Sequence, residues 1–366
     1  MQRLPHGRHP RASGRFEVSG GFTENELIET LLAGYRSAAP LLGPGDDAGL
    51  LAVPDGRLVT SIDTITEDQD FRRVWPCGYR TTGYDVGWKS VAQNLSDINA
   101  MGARPTGLVT SLSLPADIGL EWVGWFAQGV TDAIEQLGAH DCAIVGGDVG
   151  RGREISVTTT AFGSLDGGEP VLRSGAKHGD VLAVCGTLGL AAAGVDVLDH
   201  AGSEDSHASL PAGHLPKDWS PGTRTAADRQ LRPTPPIGAG VEARHAGAHA
   251  MLDLSDGLVR DAERIAKASA VSVQLDPDLG EREQIALEDA ARLVGCDPQR
   301  WVYAGGEDFA LLGAFDAAAS MPAGWRKVGR IDAGAPVVRI GDEEAAKWLS
   351  LRAGDASGGW DPFRRG

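Results

Sequence analysis

Residues 94–105 read N-L-S-D-I-N-A-M-G-A-R-P, at the end of a stretch whose apolar positions 86, 91, 95, 98 and 101 keep helical spacing. The spacing predicts a helix from Val86 to Met101 with Asp85 as its cap, and it places Asp97 on that helix. Immediately downstream, Leu108 to Leu114 reads as a strand, Trp122 to Leu137 as an amphipathic helix, Ala143 to Val145 as a short strand and Ile155 to Phe162 as a β-branched strand. The alternation fixes the class as mixed α/β.

Working outward, Thr23 with Glu26 three residues on is a capping-box signature before Leu27, Ile28, Leu31 and Leu32. Leu50 to Val53 and Leu58 to Ile62, split by Pro54-Asp55-Gly56, predict a hairpin whose second strand runs into Asp63. Beyond Gly163 a second block begins. Val181 to Cys185 reads as a strand, Gly189 to Leu198 as a helix, Leu258 to Ala268 as a helix, Val271 to Leu275 as a strand, Ala286 to Leu293 as a helix and Ala310 to Phe315 as a strand. Residues 200–230, rich in Ser, His, Asp, Pro and Gly, read as a loop or frayed helical insertion, and residues 1–20 as a disordered tail. At 366 residues the chain suits two domains of roughly 100–200 residues each, 21–163 and 164–366. L-S-D at 95–97 recurs at 254–256, and G-G-D at 146–148 is echoed by G-G-E-D at 305–308, a weak hint of duplication.

The formal charge of −16 repels polyphosphate backbones and argues against a nucleic-acid partner. A phosphorylated small molecule can still bind such a chain where divalent cations stand between carboxylate and phosphate. The four cysteines are far apart and read as reduced thiols, and no apolar run has signal-peptide or membrane length, so a cytoplasmic protein with no membrane partner is expected. Gly83 to Ser90, G-Y-D-V-G-W-K-S, is one spacer short of a phosphate-binding loop and carries Trp88 where glycine is needed. Asp46 and Asp47 beside Gly43-Pro44-Gly45 would repel a pyrophosphate. What remains is a set of acids next to Gly, Ser or Thr: Asp46, Asp47, Asp63, Asp97, Asp148, Asp253, Asp256, Glu307 and Asp308. Singly each suits an Asx turn or helix cap; together they suit Mg²⁺, which takes oxygen ligands. No histidine falls in a catalytic pattern, and phosphoryl transfer to an acceptor that is itself a phosphate needs none.

G-D-D-A at 45–48, S-I-D-T at 61–64, N-L-S-D-I-N-A-M-G-A-R-P at 94–105, V-G-G-D at 145–148, R-S-G-A at 173–176, D-L-S-D-G-L at 253–258, G-G-E-D at 305–308 and G-W-D-P-F at 359–363 occur in one order. With these segments the chain resembles the thiamine-monophosphate kinase family, within the superfamily of aminoimidazole ribonucleotide synthetase and selenophosphate synthetase. The resemblance implies two α/β domains, with N-terminal sheets pairing across a homodimer into a barrel and ATP bound near that interface. It implies that Asp47, Ser61, Asp63, Asp97, Asp148, Asp253 and Asp256 hold Mg²⁺. Gly147, Asp148, Arg173 and Ser255 would contact ATP, while Glu307 and Trp360 would line the thiamine site. The implied catalytic residues are Asp148, Arg173 and Asp256, and the implied reaction is in-line transfer of the ATP γ-phosphoryl to thiamine monophosphate.

One segment departs from the family pattern. Residues 66–71 read T-E-D-Q-D-F, so Asp70 stands where a substrate-contacting His is expected, Asp68 replaces a glycine and Ile62 a threonine. A carboxylate there repels a substrate phosphate by about 1–4 kcal/mol. The altered segment leaves room for a related ATP-dependent enzyme with a different, cationic or amide-bearing acceptor; a non-catalytic nucleotide-binding homologue fits less well with the retained carboxylates.

Overall fold

The computed structural model describes residues 23–44, 48–200 and 210–353. Asp46, Asp47, Trp360 and the tail 1–20 lie outside the described residues. The N-terminal half holds α1 (Glu24–Gly34), β1 (Val59–Thr66), α2 (Gly83–Ala100), β2 (Arg104–Leu114), α3 (Leu120–Gln136), β3 (Ala143–Arg151) and β4 (Ser156–Ser164). Its sheet has the order β1-β4-β2-β3, with β2 and β3 parallel and the other pairs antiparallel. The sheet is open, and no barrel closes within the chain among the described residues.

Alternation along β4 decides which face is covered. Val157, Thr159 and Ala161 are buried beneath α2 and α3, whereas Thr60, Ile62 and Thr64 of β1 point away from the helices and are exposed. Ile65, Leu95, Ile98, Leu108, Leu112, Phe126 and Val157 form the core between sheet and helices. Gly83, Gly87 and Gly129 let α2 and α3 approach closely: a Cβ on Gly87 would lie 2.3 Å from the Phe126 carbonyl oxygen. The cap of α2 is Thr82 rather than Asp85, which stands at the third helical position and completes a capping box.

The C-terminal half contains β5 (Val181–Cys185), α4 (Leu190–Asp199), α5 (Pro221–Leu231), α6 (Ala239–His245), β6 (Ala250–Asp253), α7 (Leu258–Ser269) and β7 (Ser272–Leu275). After these come α8 (Gln284–Val294), α9 (Gln299–Ala304), β8 (Leu311–Phe315), β9 (Trp325–Asp332), β10 (Val338–Ile340), β11 (Glu343–Glu344) and α10 (Ala345–Ala353). Its seven strands run β11-β10-β7-β9-β5-β8-β6. The two halves meet where α2 crosses β6, and Trp75, Cys77 and Tyr79 of the N-terminal half enter the C-terminal core.

Three further expectations change. The turn at Pro54-Asp55-Gly56 exists, with Gly56 at φ 72°, but no hairpin forms: β1 pairs with β4, and residues 51–53 join no strand. Residues 221–231 of the supposed insertion form α5, capped by Ser220 with Pro221 in its first turn and packed on α4 and α8. The tripeptide echo is not a structural repeat, because Leu95-Ser96-Asp97 lies within a helix and Leu254-Ser255-Asp256 in a turn after β6. No helix among the described residues is long and apolar enough to cross a membrane.

Candidate active site

Helix α2 gathers one group of acids. Ser61 and Asp63, two residues apart on β1, share its covered face. The Ser61 hydroxyl donates to Asp97 Oδ2 at 2.5 Å, and the Asp63 N–H donates to Asn94 Oδ1 at 3.1 Å. Burial, then the Asp97 charge and a hydrogen bond between the two carboxyls, push the Asp63 carboxyl up to about 7. One residue earlier in chain order than Asp97, Ser96 Oγ donates to Asp253 Oδ2 at 2.9 Å across the junction of the halves. Burial, Asp97 and Asp261 hold the Asp253 carboxyl well above the usual carboxylate range, partly offset by Ser96 and the nearby Arg173 cation. Asp63 and Asp253 therefore both feel the charge of Asp97, and Arg173 lies near Asp253.

Two turns of the C-terminal half build the other side. Asp261 accepts from the N–H groups of Asp256 and Gly257 at 3.0 and 3.1 Å, closing the start of α7. Burial raises its carboxyl to about 6. The Asp256 carboxylate pairs with Arg264, which also holds Asp261. Glu307 donates its N–H to the Ser255 carbonyl at 2.9 Å from a backbone at φ 66°. Gly306 is required beside it, since a Cβ there would lie 2.4 Å from that same carbonyl oxygen.

Asp148 stands apart. In the sheet Asp63 faces Thr159, Thr159 faces Thr110 and Thr110 faces Gly147, so three strand spacings, about 14 Å, separate Asp63 from Gly147. Asp148, the next residue, points to the opposite, exposed face. There a cavity of about 640 Å³ is lined by Gly147, Asp148, Val109, Tyr35, Leu51 and Phe162. Gly146 and Gly147 lie within β3 rather than in a turn, and a Cβ on Gly147 would meet the Thr110 carbonyl oxygen at 2.4 Å.

The departing segment 66–71 is also resolved into contacts. Asp68 adopts φ 65°, the conformation a glycine would favour and one Asp tolerates. The Asp70 carboxylate turns back on its own loop and accepts from Thr66 N–H at 2.7 Å. Lys89, which motif reading set aside, pairs with Glu307 at 2.9 Å. The available signal was one lysine inside the apolar run Val86 to Ala92.

The model of the AIR synthase related protein, N-terminal domain, matches residues 45–165. The thiamine-monophosphate kinase of Mycobacterium tuberculosis is 40% identical over 342 residues, covering 92% of this chain and 93% of that protein. This chain belongs to the thiamine-monophosphate kinase family. Within the family, the solved structure of thiamine-monophosphate kinase from Stenotrophomonas maltophilia K279a superposes with a TM-score of 0.68 at 31% identity, covering 88% of this chain and 98% of that one. AaThiL complexed with AMPPCP and TMP gives 0.66 at 27% identity, with 91% and 97% covered.

A family enzyme of this kind implies magnesium, and the donor set fits it. The ligands at hand are carboxylates and a hydroxyl, all oxygen, and burial together with the Asp97 charge pushes the Asp63 carboxyl up to about 7, an environment that favours a neighbouring cation. Among the described residues no three acidic, His or Cys side chains already enclose an ion.

Proposed function

We propose that this chain transfers the γ-phosphoryl of ATP to the terminal phosphate of thiamine monophosphate, giving thiamine diphosphate and ADP. The observation that carries the reading is the ordered motif series borne on one scaffold with a relative that matches 92% of the chain. An acceptor phosphate oxygen forms the new bond to the γ-phosphorus as the bond to the β,γ-bridging oxygen breaks, and ADP leaves. The acceptor oxygen is already ionised, which accounts for a site built of carboxylates, Arg173 and no histidine.

In this reading Asp63, Asp97, Asp253 and the Ser61 hydroxyl would hold Mg²⁺ on the α2 side, with Asp47 and Asp256 as further ligands, while Asp148, carried to the opposite face of the sheet, would hold a separate ion beside ATP. Bound magnesium would neutralise charge on the transferring group. Gly147, Asp148, Arg173 and Ser255 face ATP, with the bare Gly147 position admitting close approach of the nucleotide. Arg173 and Asp256, the latter now paired with Arg264, would act at the transferring phosphoryl, and Asp148 would act through the ATP lying against Gly147. Glu307 and Trp360 face the acceptor. Asp70, tied into its own loop, adds less repulsion than a free carboxylate, because Lys89 lies beside it.

The same reading includes a homodimer. Ile62 is exposed on the outer face of the first sheet, Val53 and Leu58 line the cavity on that face, and Leu41, Leu42 and Leu50 of the preceding segment are exposed as well. Pairing two such faces would cover these side chains and enclose the Asp148 cavity. A two-domain division at about residue 163 and a cytoplasmic location complete the reading. It is tested by ADP release with different acceptors: thiamine monophosphate supports release and thiamine does not. Equal release with both, or with neither, would overturn it.

A further inference from the structure

Lys89 is a deeply covered charged group at the junction of the halves, with its side chain 3% exposed. Its ammonium lies 2.9 Å from Glu307 Oε1 and donates to the Asp70 carbonyl oxygen at 2.8 Å. The second carboxylate oxygen, Glu307 Oε2, accepts from Gln230 Nε2 of α5 at 2.8 Å. Each oxygen of one carboxylate is thus gripped by a donor from a different half of the chain. A buried ion pair is a poor device for stability alone, since apolar residues of similar volume do as well or better. Gln230 adds a second sign of a ligand: its amide oxygen is buried with no hydrogen-bond partner, and turning the amide over would set that oxygen against the carboxylate.

Spacing along α2 ties this clamp to the phosphate end. Lys89, Gln93 and Asp97 follow at four-residue intervals on one helix face, and they touch Glu307, Asp63 and Ser61 in turn. Eight residues of helix rise about 12 Å, so one rigid rod sets the distance between the carboxylate at 307 and the acids around Asp97.

We propose that Lys89, together with Gln230, is a positioning residue for the acceptor: it fixes the Glu307 carboxylate so that this acid and the Gln230 amide oxygen present acceptors to a donor-bearing, cationic heterocycle. The inference rests on the reading that Glu307 faces the acceptor. It assigns no chemistry to Lys89 itself, which touches neither the transferring phosphoryl nor the metal ligands.

The test uses the full-length protein with ATP, Mg²⁺ and thiamine monophosphate, comparing wild type, Lys89→Met, Gln230→Met, Glu307→Gln and the double variant Lys89→Met/Glu307→Gln. Loss of a charge-assisted hydrogen bond predicts an acceptor KM raised about tenfold or more in Lys89→Met. The KM for ATP should stay within about twofold of wild type, and the double variant should be no worse than Glu307→Gln alone. Gln230→Met should raise the acceptor KM in the same direction, and it carries the test if Lys89→Met does not fold by thermal melt. Wild-type turnover with acceptor KM unmoved in the folded variants, or with both KM values moving together, overturns the inference and leaves the functional reading standing. Wild-type protein that makes no thiamine diphosphate overturns the reading and the inference with it.

Discussion

Asp308 offers a stability prediction with a definite sign. Its buried carboxylate accepts from Thr187 Oγ1 at 2.8 Å and from the Gly189 N–H at 2.6 Å, at the start of α4. Burial outweighs these bonds and raises the carboxyl to about 6 from 3.8. Between pH 4 and 6 the folded chain therefore binds more protons than the unfolded chain, and this group's contribution to stability falls as pH rises through that window. A shift of about two units corresponds to about 3 kcal/mol, fully lost above pH 6. Asn at 308 keeps both contacts, because its oxygen can accept from Gly189 while its NH₂ donates to a reversed Thr187 hydroxyl. Urea unfolding of wild type and Asp308→Asn from pH 4 to 7.5 should show nearly equal stability at the acid end. The variant should gain about 3 kcal/mol by pH 7. A difference that does not change with pH would refute the reasoning.

Three further outcomes follow from the same contacts. Ser96→Ala leaves the buried Asp253 carboxyl without its donor across the junction and should cost about 1–3 kcal/mol in chemical unfolding. Mg²⁺ at about 100 times its dissociation constant should stabilise wild type by about 3 kcal/mol in thermal melts, and Asp97→Asn should lose most of that gain. Ile62→Lys on the outer sheet face should convert a dimer to monomer in sedimentation equilibrium without lowering the melting temperature of the monomer, since Ile62 is 62% exposed within the chain.

Much of the fold was legible because it is written in local periodicity. The capping box at Thr23, helix α2 and its Asp97, strand β5 and helix α4 stand within a residue or two of their expected positions, apart from the longer start of α2. The missed elements depend on other signals. Helix α5, P-G-T-R-T-A-A-D-R-Q-L, has little apolar patterning, and it is held by packing on α4 and α8; Ser220-Pro221 was its readable mark. The hairpin failed because the partner of β1 lies about a hundred residues away, a choice that sequence spacing does not encode.

At the site, the acids were identifiable as a set, but their grouping was not. Asp63, Asp97 and Asp253 converge through α2, whereas sheet register carries Asp148 to the far face. The character of Asp70 was read from its charge alone; the bond from Thr66 that turns it aside arises only once the loop closes. Lys89 resembled a failed phosphate loop in sequence and becomes interpretable only through Glu307, more than two hundred residues downstream.

The most direct test of the whole account is chromatographic identification of products after mixing the protein with ATP, Mg²⁺ and thiamine monophosphate, beside an Asp148→Asn control. The account predicts thiamine diphosphate and ADP in equal amounts, and neither with the control. ADP without thiamine diphosphate, or Mg²⁺-dependent ATP binding without any product, would contradict it.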